Sequence, residues 1–252
     1  MAPISETNEP AIARRSHTAP LKGAVALVTG GNRGIGRAIA LRLAELGAAV
    51  GICGRDQATL DETLSALQKI QTPAHAESAD VSQAAEVLRL VANTEAALGG
   101  ISILVNNAGV GLFGPMQEKS EADWDRVLDT NLKSVFLVSR AVAPGMIKRG
   151  AGDIINISSL AGHNAFAGGA IYCASKWGLQ GLTACLAEDL RGHGIRVSSV
   201  CPGSVATEFG GNLQKKAHAL QADDIAHAVE MLVTQAPNSF ISEIQMRPLR
   251  KA

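Results

Sequence analysis

The sequence predicts a single α/β domain built on a doubly wound parallel sheet of about seven strands, with helices on both faces. Short apolar runs alternate along the chain with longer amphipathic segments, which is the pattern of successive βαβ units. A glycine-rich turn follows the first apolar run and opens the first amphipathic segment. The chain has 252 residues, 46% of them hydrophobic, which suits one large core and is short for two.

The elements follow from these runs in order. Short apolar runs predict buried strands at Ala24–Thr29, Ala49–Cys53, Ile101–Asn106, Ile154–Ser158 and Val197–Cys201, with weaker strands at Ala74–Ala79 and Glu243–Arg247. The segments between them predict helices at Gly34–Leu46, Gln57–Ile70, Ser82–Leu98, Glu121–Arg149, Ala170–Arg191 and Ala222–Gln235. Pro144 is expected to end or kink the longest helix, because proline lacks an N–H and crowds the preceding turn.

Composition excludes several classes of partner. Lys plus Arg equals Asp plus Glu at 23 each, so no net charge attracts the chain to nucleic acid or to an anionic membrane. No segment reaches the roughly 18 apolar residues that a membrane span needs. A small molecule is therefore the expected partner.

The ends and the cysteines indicate the cellular setting. Residues 1–20 mix Pro, Ser, Thr, Glu and Arg without an apolar run, so we expect a disordered tail ahead of one domain over residues 21–252. The four cysteines lie in apolar segments without a C-x-x-C pair, which is typical of reduced thiols. We expect a cytoplasmic protein.

The glycine-rich turn is the first candidate binding element. It reads T-G-G-N-R-G-I-G from Thr29 to Gly36, and such a turn brings bare backbone amides close to a pyrophosphate. The alternative is a tight strand-to-helix turn without a ligand. The preceding strand and following helix favour a Rossmann-type dinucleotide site with Gly30, Asn32, Arg33, Gly34, Ile35 and Gly36 as cofactor-binding residues.

The second strand predicts which dinucleotide is bound. An acid that grips the ribose of NAD belongs at its carboxyl end, where this chain has Gly54 and Arg55. Arg55 and Arg33 can converge on a 2′-phosphate, so NADP(H) is the expected cofactor. The alternatives are that both arginines are solvated, or that Asp56 is the displaced acid; we prefer Asp56 as a helix cap.

Polar residues end two further strands. Asp80 and Val81 follow the third strand, and Asn106, Asn107, Ala108 and Gly109 follow the fourth. Ligands of open α/β sheets bind at such carboxyl ends. Taken singly, each motif is more often a capping Asp or an Asn-rich turn, so their joint placement carries the prediction that Asp80, Val81, Asn107, Ala108 and Gly109 bind cofactor.

A possible acid–base pair lies on the fifth predicted helix. Tyr172 and Lys176 are four residues apart and so share one face, about 6 Å apart along the axis. A free phenol has a pKa of about 10, and an adjacent ammonium would lower that pKa toward the working pH range. The alternative is an ordinary amphipathic helix with one aromatic residue and one solvated lysine.

Together these residues resemble the short-chain dehydrogenase/reductase family. The resemblance runs from about Lys22 to Thr207 and rests on motifs in family order and spacing. They are T-G-x-x-x-G-I-G at Thr29–Gly36, N-N-A-G at Asn106–Gly109, Asn131, Ser159, Y-x-x-x-K at Tyr172–Lys176, and Pro202-Gly203.

The resemblance implies a role for each matched residue. Tyr172 exchanges a proton with the substrate oxygen, Ser159 hydrogen-bonds that oxygen, and neighbouring Ser158 is the less favoured serine. Lys176 binds the nicotinamide ribose and lowers the pKa of Tyr172, and Asn131 anchors a water that connects Lys176 to solvent. Tyr172 and Lys176 thus also contact the cofactor, as do Pro202, Gly203, Val205 and Thr207 on the nicotinamide side.

The implied function is NADP(H)-dependent interconversion of a carbonyl and a secondary alcohol. A 3-oxoacyl-thioester (acyl-carrier-protein) reductase-like enzyme is one candidate, and a dehydrogenase of small 3-hydroxy acids is the alternative, since Ile241–Pro248 replaces the family's V-D-G-G ending. A non-catalytic NADP(H)-sensing protein on the same fold is the alternative from another class. The resemblance also implies a homo-oligomer, a tetramer or a dimer.

The remaining expectations concern the pocket and metals. Substrate identity should depend on residues 111–118, 163–168 and 207–220, which show no dedicated charge clamp. His163 is more readily explained as a solvated loop residue than as a substrate contact. No metal site is predicted, because the other histidines lack ligand-like spacing with Cys or carboxylates.

Overall fold

The sheet has seven strands, all parallel, in the order β3-β2-β1-β4-β5-β6-β7. The computed structural model describes residues 19–209 and 218–250. The strands are β1 Val25–Thr29, β2 Ala49–Gly54, β3 Ala74–Ser78, β4 Ile103–Asn106, β5 Gly152–Ile157, β6 Ile195–Pro202 and β7 Glu243–Met246. All seven predicted strands are confirmed, including the two weaker ones.

Helices connect the strands and cover both faces of the sheet. The α-helices are α1 Gly34–Glu45, α2 Gln57–Lys69, α3 Ala84–Leu98, α4 Glu121–Leu128, α5 Ser134–Arg149, α6 Ala170–Arg191 and α7 Ala222–Thr234. Short 3₁₀ helices lie at Met116–Glu118 and Leu160–Gly162. The doubly wound fold that the sequence predicts is confirmed.

Alternation along the strands divides the interior into two cores. In β1, Ala26 and Val28 point into one core and Val25 and Leu27 into the other, because successive strand side chains face opposite sides of a sheet. The first core is closed by α1, α2 and α7, and the second by α3, α5 and α6. Fully burying one of these large aliphatic side chains contributes roughly 1.5–3 kcal/mol.

The order of the strands fixes where a ligand can bind. β1 lies between β2 and β4, so the chain winds outward from β1 in both directions. In such a sheet, the connections after neighbouring strands diverge to opposite faces and leave a crevice outside the carboxyl ends. The segments after β1 and β4 are the glycine-rich turn and the N-N-A-G turn.

The predicted helix over Glu121–Arg149 differs from the structure. A π-helical turn at Asp129–Lys133, here called the π turn, divides it into α4 and α5. Pro144 does not end the helix, since α5 continues to Arg149 and ends at Gly150 in the left-handed conformation. Pro144 is exposed, so water can satisfy the carbonyl that loses its N–H partner.

Other differences are small or fall outside the described residues. The third helix begins at Ala84 instead of Ser82, because Ser82 uses its N–H and hydroxyl to hydrogen-bond Asp80. The predicted tail over residues 1–20 lies, except for its last two residues, outside the described part. Within the described residues, no helix is both long and apolar enough to cross a membrane.

Candidate active site

The glycine-rich turn is shaped by close backbone packing. Gly30 and Gly34 have positive φ values of 62° and 52°, which residues with a side chain rarely adopt. A Cβ at Gly36 would collide with the Gly30 carbonyl and the Asn107 amide. Arg33 caps α1 without a side-chain hydrogen bond, which leaves the first amides of the helix to a ligand. The turn therefore fits a pyrophosphate.

Asparagine and threonine side chains hold this turn against its neighbours. Asn107 donates through Nδ2 to the carbonyls of Thr29 (2.9 Å) and Gly30 (3.1 Å). The Thr29 hydroxyl accepts from the amides of Asn107 (3.0 Å) and Ala108 (3.1 Å). Asn32 donates to Thr59 Oγ1 at 2.8 Å. The side chains of Asn32 and Asn107 thus support the turn.

Two arginines, Arg33 in the glycine-rich turn and Arg55 directly after β2, are exposed. Arg33 forms an ion pair with Glu208 at 3.0 Å, and both side chains are more than half exposed. Arg55 is exposed, and its charge helps to lower the pKa of Asp80. The pKa of Asp80 falls below its usual value because hydrogen bonds from Ser82 and this charge outweigh the opposing effect of burial. Each arginine therefore faces a carboxylate.

Asp56 is a helix cap, as predicted. Its Oδ1 accepts from the Thr59 amide at 2.8 Å at the start of α2. This hydrogen bond is the largest cause that lowers the pKa of Asp56, and the charge of Arg33 adds a smaller effect. The carboxylate is already committed to the helix N-terminus, so the interpretation as a displaced ribose acid is not supported.

The π turn places Asn131 inside the site. Asn131 is 1% exposed, and its Oδ1 accepts from the Val110 amide at 2.7 Å. Its Nδ2 donates to the Val110 carbonyl (2.9 Å) and to Ser175 Oγ (3.0 Å). Ser175 in turn donates to the Tyr172 carbonyl at 2.7 Å. Asn131 therefore connects the segment after β4 to the helix of the acid–base pair.

Tyr172, Lys176 and Ser159 come together as the sequence predicts. Tyr172 and Lys176 are buried on α6, and Lys176 Nζ lies 5.9 Å from the centroid of the phenol ring. Nζ donates to the Ile157 carbonyl at 2.9 Å, and an ammonium has three donors, so it can serve further oxygens. The Ser159 hydroxyl hydrogen-bonds the phenol, whereas Ser158 interacts with the Cys201 thiol instead.

Burial dominates the titration of this pair. It raises the pKa of Tyr172 to about 12, and the hydrogen bond to Ser159 opposes that shift. Burial also lowers the pKa of Lys176 to about 8, because a low dielectric disfavours the charged form. Among the groups that shift the pKa of Tyr172, Ser159 is the one that lowers it, so a lowering by Lys176 stays a prediction.

The nicotinamide-side residues follow β6. Gly203 donates through its amide to the Met246 carbonyl at 2.8 Å, and Val205 pairs with Leu220. Thr207 lies beside the glycine-rich turn, its Cγ2 3.6 Å from where a Cβ of Gly34 would stand. The segment after β6 thus lies against the glycine-rich turn at Thr207. Part of the predicted substrate segment over residues 207–220 lies outside the described residues.

Three phenylalanines around Tyr172 were not singled out from the sequence. Phe113 meets the Tyr172 ring edge-on, with centroids 5.4 Å apart and planes at 73°. Phe209 lies 5.9 Å from Tyr172, and Phe166 lies 5.9 Å from Phe113. Phe113, Phe166 and Phe209, here called the phenylalanine cluster, come from the three segments predicted to shape the pocket.

His163 belongs to a polar cluster and is not the solvated loop residue that the sequence favoured. His163 Nε2 lies 2.9 Å from Glu243 Oε2 and 3.8 Å from Cys201 Sγ, and Gln180 Nε2 hydrogen-bonds both His163 and Glu243. Ligand atoms of His163, Cys201 and Glu243 lie within 4.8 Å of one another, a grouping able to hold a metal ion. Spacing along the sequence does not reveal it. The prediction of no metal stays a prediction.

The comparisons with known proteins agree with this geometry. A family model described as short chain dehydrogenase matches residues 24–218. This chain belongs to the short-chain dehydrogenase/reductase family. As a short-chain dehydrogenase/reductase, it is an oxidoreductase that acts on CH–OH and C=O groups.

Individual relatives cover nearly the whole chain. A protein named (3R)-3-hydroxyacyl-CoA dehydrogenase from Canis lupus familiaris is 39% identical over 235 residues, covering 85% of this chain and 91% of that protein. A metagenomic short-chain oxidoreductase solved in complex with NADP is 45% identical with a TM-score of 0.82, covering 92% and 99% of the two chains. The closed form of a serine dehydrogenase complexed with NADP+ is 34% identical with a TM-score of 0.83, covering 88% and 94%.

The single tyrosine of this short-chain dehydrogenase/reductase allows its pKa to be measured directly. Ultraviolet absorbance of tyrosinate should stay low up to about pH 11 in the folded protein, because burial raises the pKa above its ordinary value of about 10. Ser159→Ala should raise the pKa further, and Tyr172→Phe should abolish the signal. Half-formed tyrosinate near pH 10, with circular dichroism still native, would contradict this assignment.

Proposed function

We propose that this short-chain dehydrogenase/reductase interconverts a carbonyl and a secondary alcohol with NADP(H), using residues 21–252 as one cofactor-binding catalytic domain. The observation that carries the proposal is the group formed by buried Tyr172 and Lys176 with Ser159 at the phenol. Asn131, Ser159, Tyr172 and Lys176 are the proposed catalytic residues.

The proposed cofactor site follows the crevice from the arginines to Tyr172. The glycine-rich turn and the free amides of α1 suit the pyrophosphate, and the remaining donors of Lys176 suit ribose hydroxyls. The full proposed set is Gly30, Asn32, Arg33, Gly34, Ile35, Gly36, Arg55, Asp80, Val81, Asn107, Ala108, Gly109, Tyr172, Lys176, Pro202, Gly203, Val205 and Thr207.

In this proposal the chain's residues manage the proton and the charge on oxygen. The bound dinucleotide supplies or accepts the hydride. Tyr172 gives its phenolic proton to the carbonyl oxygen, while Ser159 donates a hydrogen bond to the same oxygen. Negative charge develops on that oxygen, so fixed donors there stabilise the transition state more than the ground state. A phenol with a pKa of about 12 remains protonated at neutral pH, so it carries the proton that carbonyl reduction requires.

Replacing Tyr172 tests this assignment. Tyr172→Phe should lower kcat for NADPH-dependent carbonyl reduction by about 10²- to 10⁴-fold, the usual contribution of general acid catalysis, while NADPH binding by fluorescence titration stays intact. Ser159→Ala should also lower kcat, whereas Ser158→Ala is the matched control and should leave it unchanged. Retained turnover in Tyr172→Phe would exclude the role, and tight NADPH binding by the native chain without turnover of any carbonyl would favour the sensing alternative.

Two kinds of observation support NADP(H) as the cofactor. Arg33 and Arg55 place exposed guanidinium groups at the adenosine end, and Asp56 is occupied as a cap. Both solved relatives described above were complexed with NADP or NADP+. Arginine binds phosphate through a planar fork of donors, which suits a 2′-phosphate.

Arginine substitutions should therefore separate the two nicotinamide cofactors. Arg33→Ala and Arg55→Ala should each raise KM for NADPH about tenfold or more, because each removes charge-assisted hydrogen bonds, and should leave KM for NADH nearly unchanged. Arg191→Ala, at the far end of α6, is the matched control. An equal rise in KM for NADPH and for NADH would show that the arginines do not recognise the 2′-phosphate.

Two substrate candidates have support from the relatives. The canine relative's name refers to a (3R)-3-hydroxyacyl-CoA, which favours a 3-oxoacyl-thioester reductase-like reaction. The structural relative's name refers to serine dehydrogenase, which favours the alternative of a small 3-hydroxy acid. Both reactions need the same proton donor, so the residues that surround Tyr172 decide between them.

We also propose a homo-oligomer in the cytoplasm. Phe136 on α5 and Trp177 on α6 are about half exposed, and the groove beside them is lined by Leu128, Leu132 and Leu182. Asp129 and Lys133 border the same groove, so the patch carries both charges and can complement a second copy about a twofold axis. The cysteines Cys53, Cys173 and Cys201 are buried free thiols, which suits a reducing compartment.

Light scattering tests the assembly. The native chain should have two or four times the mass of one chain, and Phe136→Glu should reduce it by placing a charge in the apolar patch. Phe240→Glu, at an exposed site ahead of β7, is the control and should leave the mass unchanged. A native chain that is monomeric at micromolar concentration would exclude the proposal.

A further inference from the structure

The phenylalanine cluster forms an exposed apolar surface beside the proposed proton donor. Phe113, Phe166 and Phe209 are between 43% and 47% exposed, although folding normally buries rings of this size. They lie together, since each ring centroid is within 6 Å of another ring of the group that includes Tyr172. A contiguous exposed apolar surface in a crevice is typical of a ligand site.

Glycines make room for these rings. An ideal Cβ at Gly111 would stand 2.7 Å from Phe209 Cε1 and 2.9 Å from Phe113 Cζ. A Cβ at Gly169 would stand 2.7 Å from Phe166 Cε2. A side chain at either position would displace the rings. The two glycines therefore allow the rings to pack directly against the backbone.

The cluster determines what can approach Tyr172. Phe113 and Phe209 both contact the Tyr172 ring, so a carbonyl that reaches the phenol must place its neighbouring group against phenyl rings. Among the described residues, Tyr172, Gly109, Gly111 and Gly169 lie next to these rings, and all four are uncharged. The Lys119 ammonium donates one of its three hydrogen bonds to the Phe113 carbonyl at 2.6 Å, so its contact is with the backbone and not with the ring.

We propose that the substrate carries an aromatic ring next to its carbonyl, so that the preferred reaction is reduction of an aryl ketone to the secondary benzylic alcohol. This inference rests on the proposed function and narrows its substrate class. NADPH supplies a hydride, with its two electrons, to the carbonyl carbon, and Tyr172 supplies the proton to oxygen, giving the alcohol and NADP+. Aromatic pairs prefer tilted and edge-on contacts, which the cluster already presents.

The same surface disfavours a carboxylate beside the carbonyl. Transferring an ionised carboxylate from water to an apolar wall is costly unless a cation or hydrogen-bond donors receive it. Of the two candidate substrates, a small 3-hydroxy acid fits the phenylalanine cluster poorly. A thioester has its charged groups farther from the reacting carbon. Its apolar acyl chain could contact the phenylalanine cluster while the charged groups stay outside it.

A panel of matched ketones tests the inference by following NADPH absorbance. We expect kcat/KM for acetophenone to exceed that for cyclohexyl methyl ketone by about 2- to 10-fold, the range of an aromatic pair, and to exceed that for 3-oxobutanoate by more than tenfold. A 3-oxobutanoyl thioester is the fourth substrate and should lie below acetophenone.

Variants of the cluster connect the preference to its residues. Phe113→Leu and Phe209→Leu keep apolar volume, so they should remove the difference between the phenyl and cyclohexyl ketones, mainly through KM. Phe240→Leu, an exposed phenylalanine ahead of β7, is the matched control and should change neither ketone. Protection of the NADP+-bound protein against heat by 1-phenylethanol gives a binding readout that does not depend on turnover.

The outcomes distinguish this inference from the proposed function. Turnover of 3-oxobutanoate with no preference for acetophenone would overturn the inference and leave the carbonyl reductase assignment in place. A phenyl preference that survives both leucine variants would also overturn it. Absence of NADPH oxidation with every ketone, in a protein that binds NADPH, would overturn both.

Discussion

The arrangement of the site depends on the buried amide of Asn131. Both N–H groups and the oxygen of this side-chain amide form hydrogen bonds: the oxygen accepts from the Val110 amide, and the nitrogen donates to the Val110 carbonyl and to the Ser175 hydroxyl. An unpartnered amide in this interior would cost several times what a satisfied one contributes, so the geometry is strongly specified. The segment after β4 and the helix that carries Tyr172 and Lys176 are thereby held in register.

Burial sets the chemistry of the acid–base pair. The same loss of water that keeps the phenol of Tyr172 protonated lowers the pKa of Lys176 to about 8, so burial shifts both groups toward their neutral forms while Lys176 stays mostly protonated at pH 7. Ser159 works against this tendency at the phenol because a hydroxyl hydrogen bond stabilises the phenolate. In the protein without cofactor, Tyr172 is therefore a protonated phenol and not an activated phenolate, and Lys176 is a neighbouring amine with a lowered pKa.

Much of the fold follows from the sequence because its signals are local. Apolar runs give the strands, the spacing of Tyr172 and Lys176 gives a shared helix face, and Asp56 before an amphipathic run gives a cap. The π turn escaped prediction because helical periodicity does not distinguish one widened turn from a regular one. The pKa of Tyr172 escaped because residue spacing carries no information about desolvation.

Contacts between distant segments account for the rest. Phe113, Phe166 and Phe209 lie in irregular segments without periodic pattern, and only the fold brings them together around Tyr172. The same holds for His163 and Glu243, which are 80 residues apart and meet at the edge of β6 and β7.

The ion pair between Arg33 and Glu208 has a consequence for how the two ends of the crevice communicate. It ties the turn after β1 to the segment that carries Phe209, yet a pair so exposed contributes only about 0–1 kcal/mol. An anionic group that binds Arg33 competes directly with Glu208. The free energy of its binding is therefore reduced by the small free energy of the broken ion pair. Thermodynamic linkage then requires that occupancy at the arginine and the position of the Phe209 segment influence each other, by an amount that rising ionic strength diminishes.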